Sequence, residues 1–261
     1  MRNTIYFKGI RLWVQGLLLF ALRWAQLKSG FDPVTGLAQA SVPGIILVAT
    51  ILCLAAAELF LAWKIPGGKR SYINCFAPMG QKSLPLLAAG SLILCAGGIL
   101  LPGWTALPVA VAVAGAAAAV GLILFAKQVR GGEAKTLPLL PAMLFSVLFV
   151  LAVYLPVDCS PVLESYYLPV LAAALIACAF YQLAGLPCRE GSLRWFAFLG
   201  DMAVPLCLAA LADSIGNWGQ ALAFAGSAMI LTVFLALRRD EPLPETEPEE
   251  TNDASAPAAA E

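Results

Sequence analysis

The sequence contains no histidine and few charged residues: Asp, Glu, Lys and Arg make up 12% of its 261 residues. Without histidine, nucleophiles activated by a Ser–His or Cys–His pair are excluded, and so are metal sites that use histidine. The seven cysteines include no Cys-x-x-Cys pair, and Gly-x-Ser-x-Gly, Ser-x-x-Lys and Walker sequences are also missing. We therefore predict no catalytic residues, no metal site and no cofactor, in a chain that is not an enzyme.

What the sequence has instead is apolar residues, which form 61% of the chain and give it a mean hydropathy of +0.84. Soluble domains are closer to half apolar and a quarter charged. About eight apolar runs are long enough to cross a bilayer, which takes about 20 residues each. They cover approximately residues 10–27, 43–63, 85–101, 108–126, 137–155, 167–186, 194–211 and 221–237. The fold class predicted for residues 1–239 is therefore an all-α, polytopic transmembrane helix bundle.

The basic residues are distributed unevenly between the connections of these spans. Of the 16 Lys and Arg residues, only Arg23 and Lys28 fall on one side of the predicted bundle. The others fall at alternate connections: Arg2, Lys8, Arg11, Lys64, Lys69, Arg70, Lys82, Lys127, Arg130, Lys135, Arg189, Arg194, Arg238 and Arg239. Because Lys and Arg near span ends are retained in the cytoplasm, both termini are predicted to be cytoplasmic. Within the first span, we expect Arg11 and Arg23 to extend toward opposite membrane surfaces.

The last 22 residues differ from the rest of the chain. Residues 240–261 hold half of the 16 acidic residues, no basic residue and few apolar ones. Such a segment buries too little surface to fold, so we predict a disordered, acidic, Pro- and Glu-rich cytoplasmic tail. The remaining domain is then positively charged on its cytoplasmic side, which favours anionic lipid headgroups. We expect the lipid bilayer to be its main partner and expect no nucleic-acid binding.

A compact turn sequence follows the first span. Residues 30–37 read Gly-Phe-Asp-Pro-Val-Thr-Gly-Leu, in which Asp32 and Pro33 suit a type I turn and Gly36 supplies backbone freedom. We interpret it as a turn that fixes the first outer loop, in preference to a ligand-contacting loop. With the preceding Arg23, this stretch resembles one in uncharacterised multi-span membrane proteins of clostridial bacteria. The resemblance implies a multi-pass protein of the bacterial cell membrane and brings no known activity.

A few polar residues fall inside the predicted spans, where they are costly unless they face a bundle interior or a wet cavity. Glu58 and Asp201 lie at about the same depth, about 9–10 Å from the cytoplasmic end of their spans at 1.5 Å per residue. Arg11 and Gln15 lie one turn apart on the same side of the membrane. Pro205 follows Asp201 by one turn and frees its carbonyl oxygen. These five residues form either a functional intramembrane site or an Arg–carboxylate pair that locks three helices.

Three classes of function remain open from the sequence. We favour a small-solute or ion transporter or permease, because paired acids and a broken helix suit a site within the membrane. The alternative is a non-transporting membrane protein that binds or scaffolds a partner, or a homo-oligomer. Small residues at four-residue spacing, Ala110, Ala114 and Ala118, suit close packing of helices either within the chain or between copies. A membrane enzyme is the least favoured class, since no set of reactive groups supports it.

Overall fold

The computed structural model describes residues 2–31, 41–67, 71–80, 83–102, 106–155 and 167–239. Helices account for about four-fifths of these residues, and no strand occurs within these ranges, although Phe76 and Arg238 form an isolated bridge. The all-α prediction is thus confirmed. The helices are α1 (Arg2–Ser29), α2 (Val42–Trp63), α3 (Tyr72–Cys75), α4 (Ser83–Ile99), α5 (Ala106–Arg130), α6 (Leu140–Tyr154), α7 (Tyr167–Gly185), α8 (Leu193–Ala210) and α9 (Trp218–Leu237). A 3₁₀ turn at Leu137–Leu139 leads into α6.

Six of these segments are long and apolar enough to cross a membrane, namely α2, α5, α7, α8, α9 and the combined turn and helix Leu137–Tyr154. The seventeen-residue α4 is apolar but shorter. By contrast α1 is long, at 28 residues, but is too polar to be counted with them. By the length and composition of these helices, the chain is therefore a multi-pass membrane protein. Each predicted span coincides with a helix to within a few residues, apart from α1, which begins earlier.

Local sequence signals explain where several helices begin. Ser41 caps α2 by accepting a hydrogen bond from the backbone nitrogen of Gly44 at 3.2 Å, and Pro43 follows at the start of the helix. A proline costs nothing there because its missing N–H has no partner in the first turn. Asn217 caps α9 in the same way, through the backbone nitrogen of Gln220 at 3.1 Å. These caps provide hydrogen-bond acceptors for backbone amides that would find none in a membrane interior.

The helices from α4 to α9 form a closed ring in which each packs on the next and α9 returns to α4. The α1–α2 hairpin lies outside this ring and packs mainly on α8. Since α8 then has neighbours on every side, 78% of it is buried, whereas only 17% of the apolar stretch of α2 is buried. Thus α8 is the central helix of the fold and α2 the most peripheral one.

Close packing in the ring depends on small residues. A Cβ atom added to Gly97 would collide with the backbone of Ala223, and one added to Gly219 would collide with the backbone of Leu100. On α5, Ala114 and Ala118 are buried within the chain. Small residues allow backbones to approach closely where no hydrophobic force drives helices together. Ala114 and Ala118 therefore serve packing inside the protein.

One end of the bundle, which we name the basic end, gathers the C-terminal ends of α2, α5, α7 and α9. There Arg194, at the start of α8, donates to the carbonyl oxygen of Ile65 at 3.1 Å. The short helix α3 closes this end, with the Tyr72 ring fully buried and stacked on Phe76 at 4.4 Å between ring centroids. Phe125 meets the same ring edge-on at 5.0 Å. We name the other end, which holds the connection between α8 and α9, the opposite end.

Candidate functional site

Charged and polar residues from four parts of the chain meet near the basic end. We name them the Glu58–Asp201 cluster, which consists of Arg11, Gln15, Glu58, Asp201 and Arg238. Arg11 Nη2 lies 3.0 Å from Glu58 Oε2 and 3.9 Å from Asp201 Oδ2. Gln15 Nε2 donates to Glu58 Oε1 at 3.2 Å. Arg238 Nη1 donates to Asp201 Oδ2 at 3.1 Å. A single nitrogen of Arg11 is thus shared by two carboxylates from different helices.

The cluster is assembled by helical spacing. Arg11 and Gln15 are four residues apart on α1 and so project from one face. On α2 the buried residues form a narrow stripe that includes Glu58 and Ala62. Asp201 lies on α8, where it is enclosed by neighbouring helices. The structure therefore brings together all four polar side chains that the sequence analysis singled out.

The members of the cluster differ sharply in exposure. The side chains of Glu58 and Asp201 are 2% and 7% exposed, whereas that of Arg11 is 34% exposed. Two carboxylates face two guanidinium groups, so the cluster as a whole is neutral, as burial demands. The acids are fixed inside the bundle, but Arg11 reaches its surface. Among the described residues, Gln15 Oε1 is buried and has no hydrogen-bond partner.

Pro205 is buried in α8, one turn beyond Asp201. It lacks the N–H that would normally bond the Asp201 carbonyl oxygen, although α8 continues to Ala210. The helix thus carries a backbone acceptor without its usual helical donor beside an acidic side chain. The predicted turn of Asp32, Pro33 and Gly36 lies outside the described residues.

Arg238 is a member of the cluster that the sequence analysis missed. It had been assigned only to the basic flank of the last span, and nothing in the sequence pairs it with Asp201. Its backbone forms the bridge with Phe76, and the neighbouring Arg239 nitrogen donates to the Cys75 carbonyl oxygen at 2.9 Å. The strand-like contact that follows α3 therefore positions the guanidinium group that holds Asp201.

A second buried ion pair lies at the opposite end of the bundle. Arg23 donates to both carboxylate oxygens of Asp213, with Nη2 to Oδ1 at 2.6 Å, and also to Gln26 Oε1 at 2.8 Å. Its side chain is 0% exposed. The expectation that Arg23 extends to the membrane surface is therefore wrong. Arg23 shares a buried stripe with Leu12 and Leu19, and helical spacing directs it inward.

The electrostatics of this second pair follow from its burial. Burial raises the pKa of Asp213 above its ordinary value, and the hydrogen bonds and charge of Arg23 oppose that rise. The Arg23 guanidinium also lies 5.2 Å from the centre of the Tyr167 ring. The pair therefore fixes α1 against the connection that follows α8.

The chain matches no protein-family model, and no match is found among curated proteins or among solved structures. Within the described ranges, no group of three or more His, Cys, Asp or Glu side chains is placed to hold a metal ion. The Glu58–Asp201 cluster thus contains a pair of buried carboxylates whose counter-ions are the two arginines Arg11 and Arg238.

Proposed function

We propose that this integral membrane protein is a transporter or permease for a small monovalent cation, bound between Glu58 and Asp201. The observation that carries the proposal is the sharing of Arg11 by two buried carboxylates. If Arg11 leaves, the cluster retains two acids and Arg238 and so carries one net negative charge. A single positive charge restores neutrality. Arg11 then acts as a resident counter-ion that the substrate replaces.

The energetics link the departure of Arg11 to the arrival of a cation. Removing one partner from a buried ion pair costs about 3–5 kcal/mol because the other charge is left uncompensated. Arg11 is the only member of its pair that can move outward, since its side chain is 34% exposed and Glu58 is 2% exposed. A cation that occupies the acids removes this cost, so substrate binding and Arg11 release occur together.

Two oxygen atoms are suited to a cation, one on Gln15, which bonds Glu58, and one in the Asp201 backbone. Gln15 Oε1 is buried and, within the described chain, accepts no hydrogen bond. The Asp201 carbonyl lacks its usual helical donor because of Pro205. Transporters bind cations with acidic side chains and with backbone oxygens of interrupted helices at membrane depth. The neighbourhood of Pro205 therefore supports the proposal independently of the charges.

The proposed setting is the cell membrane of a bacterium, with eight spans and both termini in the cytoplasm. This topology adds α1 and α4 to the six segments that are apolar enough by themselves. It is supported by the concentration of Lys and Arg at the basic end. In a background without the native cysteines, Asp32→Cys should react with an impermeant maleimide from outside, and Arg70→Cys only after permeabilisation. The reverse pattern would contradict this topology.

A non-transporting partner or scaffold protein is the second candidate, because one helix is so exposed. Only 17% of the apolar stretch of α2 is buried, and Leu52 and Phe60 are each 65% exposed. In that case the cluster is structural and fixes α2 to α1 and α8. The two candidates differ in whether a cation interacts with Glu58 and Asp201.

The test is the thermal stability of the purified full chain in detergent, with NaCl, KCl or methylammonium chloride compared with choline chloride at equal ionic strength. A bound cation at 100 times its Kd stabilises a protein by about 2.7 kcal/mol. We expect one small cation to raise the melting temperature, and Glu58→Gln and Asp201→Asn to abolish that rise. The matched control is Glu133→Gln, at a carboxylate that is 65% exposed. Equal cation responses in all four proteins would refute transport through this cluster.

A further inference from the structure

Two arginines of α1 each lie near an aspartate, one on α8 and one in the connection that follows it. Arg11 lies near Asp201 and Arg23 bonds Asp213, and each aspartate follows its arginine by 190 residues. The two helices therefore run in the same direction and in register. On α1 the arginines are twelve residues apart, which is about 18 Å at 1.5 Å per residue. One pair lies toward the basic end and the other at the opposite end.

A close contact between the helices lies between these pairs. A Cβ atom on Gly16 would collide with the side chain of Leu208. Gly16 is about 8 Å along α1 from Arg11 and about 10 Å from Arg23, at 1.5 Å per residue. The α1–α8 interface thus has a close contact near its middle and an ion pair toward each end.

We infer that the two Arg–Asp pairs are alternating closures of the α1–α8 interface, one for each membrane face. The inference rests on the proposed function, because it describes how the Glu58–Asp201 cluster would be reached. As α1 is one uninterrupted helix, tilting it about Gly16 moves its ends in opposite directions. Separation of one pair therefore presses the other together, and the interface opens at one end at a time.

The two closures differ in strength, which sets the resting state. Arg23 is fully buried and holds both Asp213 and Gln26, whereas Arg11 is one-third exposed and lies 3.9 Å from Asp201. The opposite end is therefore closed more firmly than the basic end. At rest, the site is reached from the basic end, and the α1–α2 hairpin is the moving part.

The experiment measures how fast a buried cysteine reacts with a maleimide in the detergent-solubilised full chain, without native cysteines. Leu12→Cys reports on the basic end and Ala212→Cys on the opposite end, since these residues are 1% and 3% exposed. We expect Arg23→Gln to raise the labelling rate at position 212 about tenfold and lower that at position 12. We expect Arg11→Gln to do the reverse. Lys28→Gln removes an exposed charge from α1 and should change neither rate.

Several outcomes would overturn the inference. Arg23→Gln or Arg11→Gln could raise both rates together, leave both unchanged, or act no differently from Lys28→Gln. If Arg23→Gln does not fold, the exchange of Arg23→Asp with Asp213→Arg keeps the pair and should restore protection at position 212. If Glu58→Gln and Asp201→Asn abolish the cation response but the two labelling rates do not change in opposite directions, the alternating closures are refuted and the binding site is not. Reciprocal labelling without a cation response defeats the binding site alone.

Discussion

Asp213→Asn should be the most destabilising conservative substitution of a charged residue in this chain. It leaves Arg23 without its carboxylate in an environment where its side chain is 0% exposed. Three hydrogen bonds to Asp213 are lost or weakened. Breaking a buried pair costs about 3–5 kcal/mol. At roughly 2–4 °C per kcal/mol for a chain of this size, the melting temperature should fall by roughly 6–20 °C.

The assay is a thermal melt in detergent, followed by a dye that fluoresces when it reacts with the buried thiols of Cys75 and Cys207. A double-mutant cycle of Arg23→Gln and Asp213→Asn separates the pair from its surroundings. Asp201→Asn should have a smaller effect, about 1.5–3 kcal/mol for hydrogen bonds to charged groups, since Arg11 remains with Glu58 and the asparagine oxygen can still accept from Arg238, which is 10% exposed. If the cycle gives a coupling below about 0.5 kcal/mol, the pair is not the fixing point that its geometry indicates.

Three further changes test other parts of the fold. Removal of residues 240–261 should leave the melting temperature and monodispersity unchanged, because an acidic segment of this composition has no core to contribute; a clear loss of monodisperse protein would show that it docks. Gly16→Ala should lower stability by about 1–3 kcal/mol through overpacking, and adding Leu208→Ala should relieve part of that loss; purely additive effects would refute the contact. Tyr72→Phe should be neutral or slightly stabilising in the same melt, because the buried Tyr72 hydroxyl has no partner in the described chain. An unsatisfied buried group costs about 1–3 kcal/mol. A large loss of stability would show that the hydroxyl is bonded.

Most of the helical architecture could be predicted from the sequence because a membrane restricts the possible structures. Apolar runs near twenty residues identify helices, and prolines such as Pro43 indicate where they begin. Counting residues from the span ends also predicted that Glu58 and Asp201 would lie at the same depth in the membrane. The structure places both near Arg11. These inferences use periodicity and length, which are properties of local sequence.

The partners of the remaining charges could not be predicted in the same way. Asp213 lies in a connection after α8, and Arg238 follows α9, so neither falls inside an apolar run. Which helices become neighbours depends on packing around α8, and no local pattern specifies it. One signal was present but not used: Arg23 lies four residues after Leu19 and eleven after Leu12, on a buried stripe. That spacing indicates an inward arginine, and hence a buried acid somewhere in the chain.

The parallel pairing of α1 with α8 has a consequence for biosynthesis. Asp213 is made 190 residues after Arg23, the arginine that it neutralises. At about 5–20 residues per second, that delay is roughly 10–40 s. During this interval the Arg23 guanidinium group of α1 is without its counter-ion, which disfavours a settled position in hydrocarbon. α1 therefore gains its Asp213 partner only after α8 has been made, and this part of the bundle is complete only then.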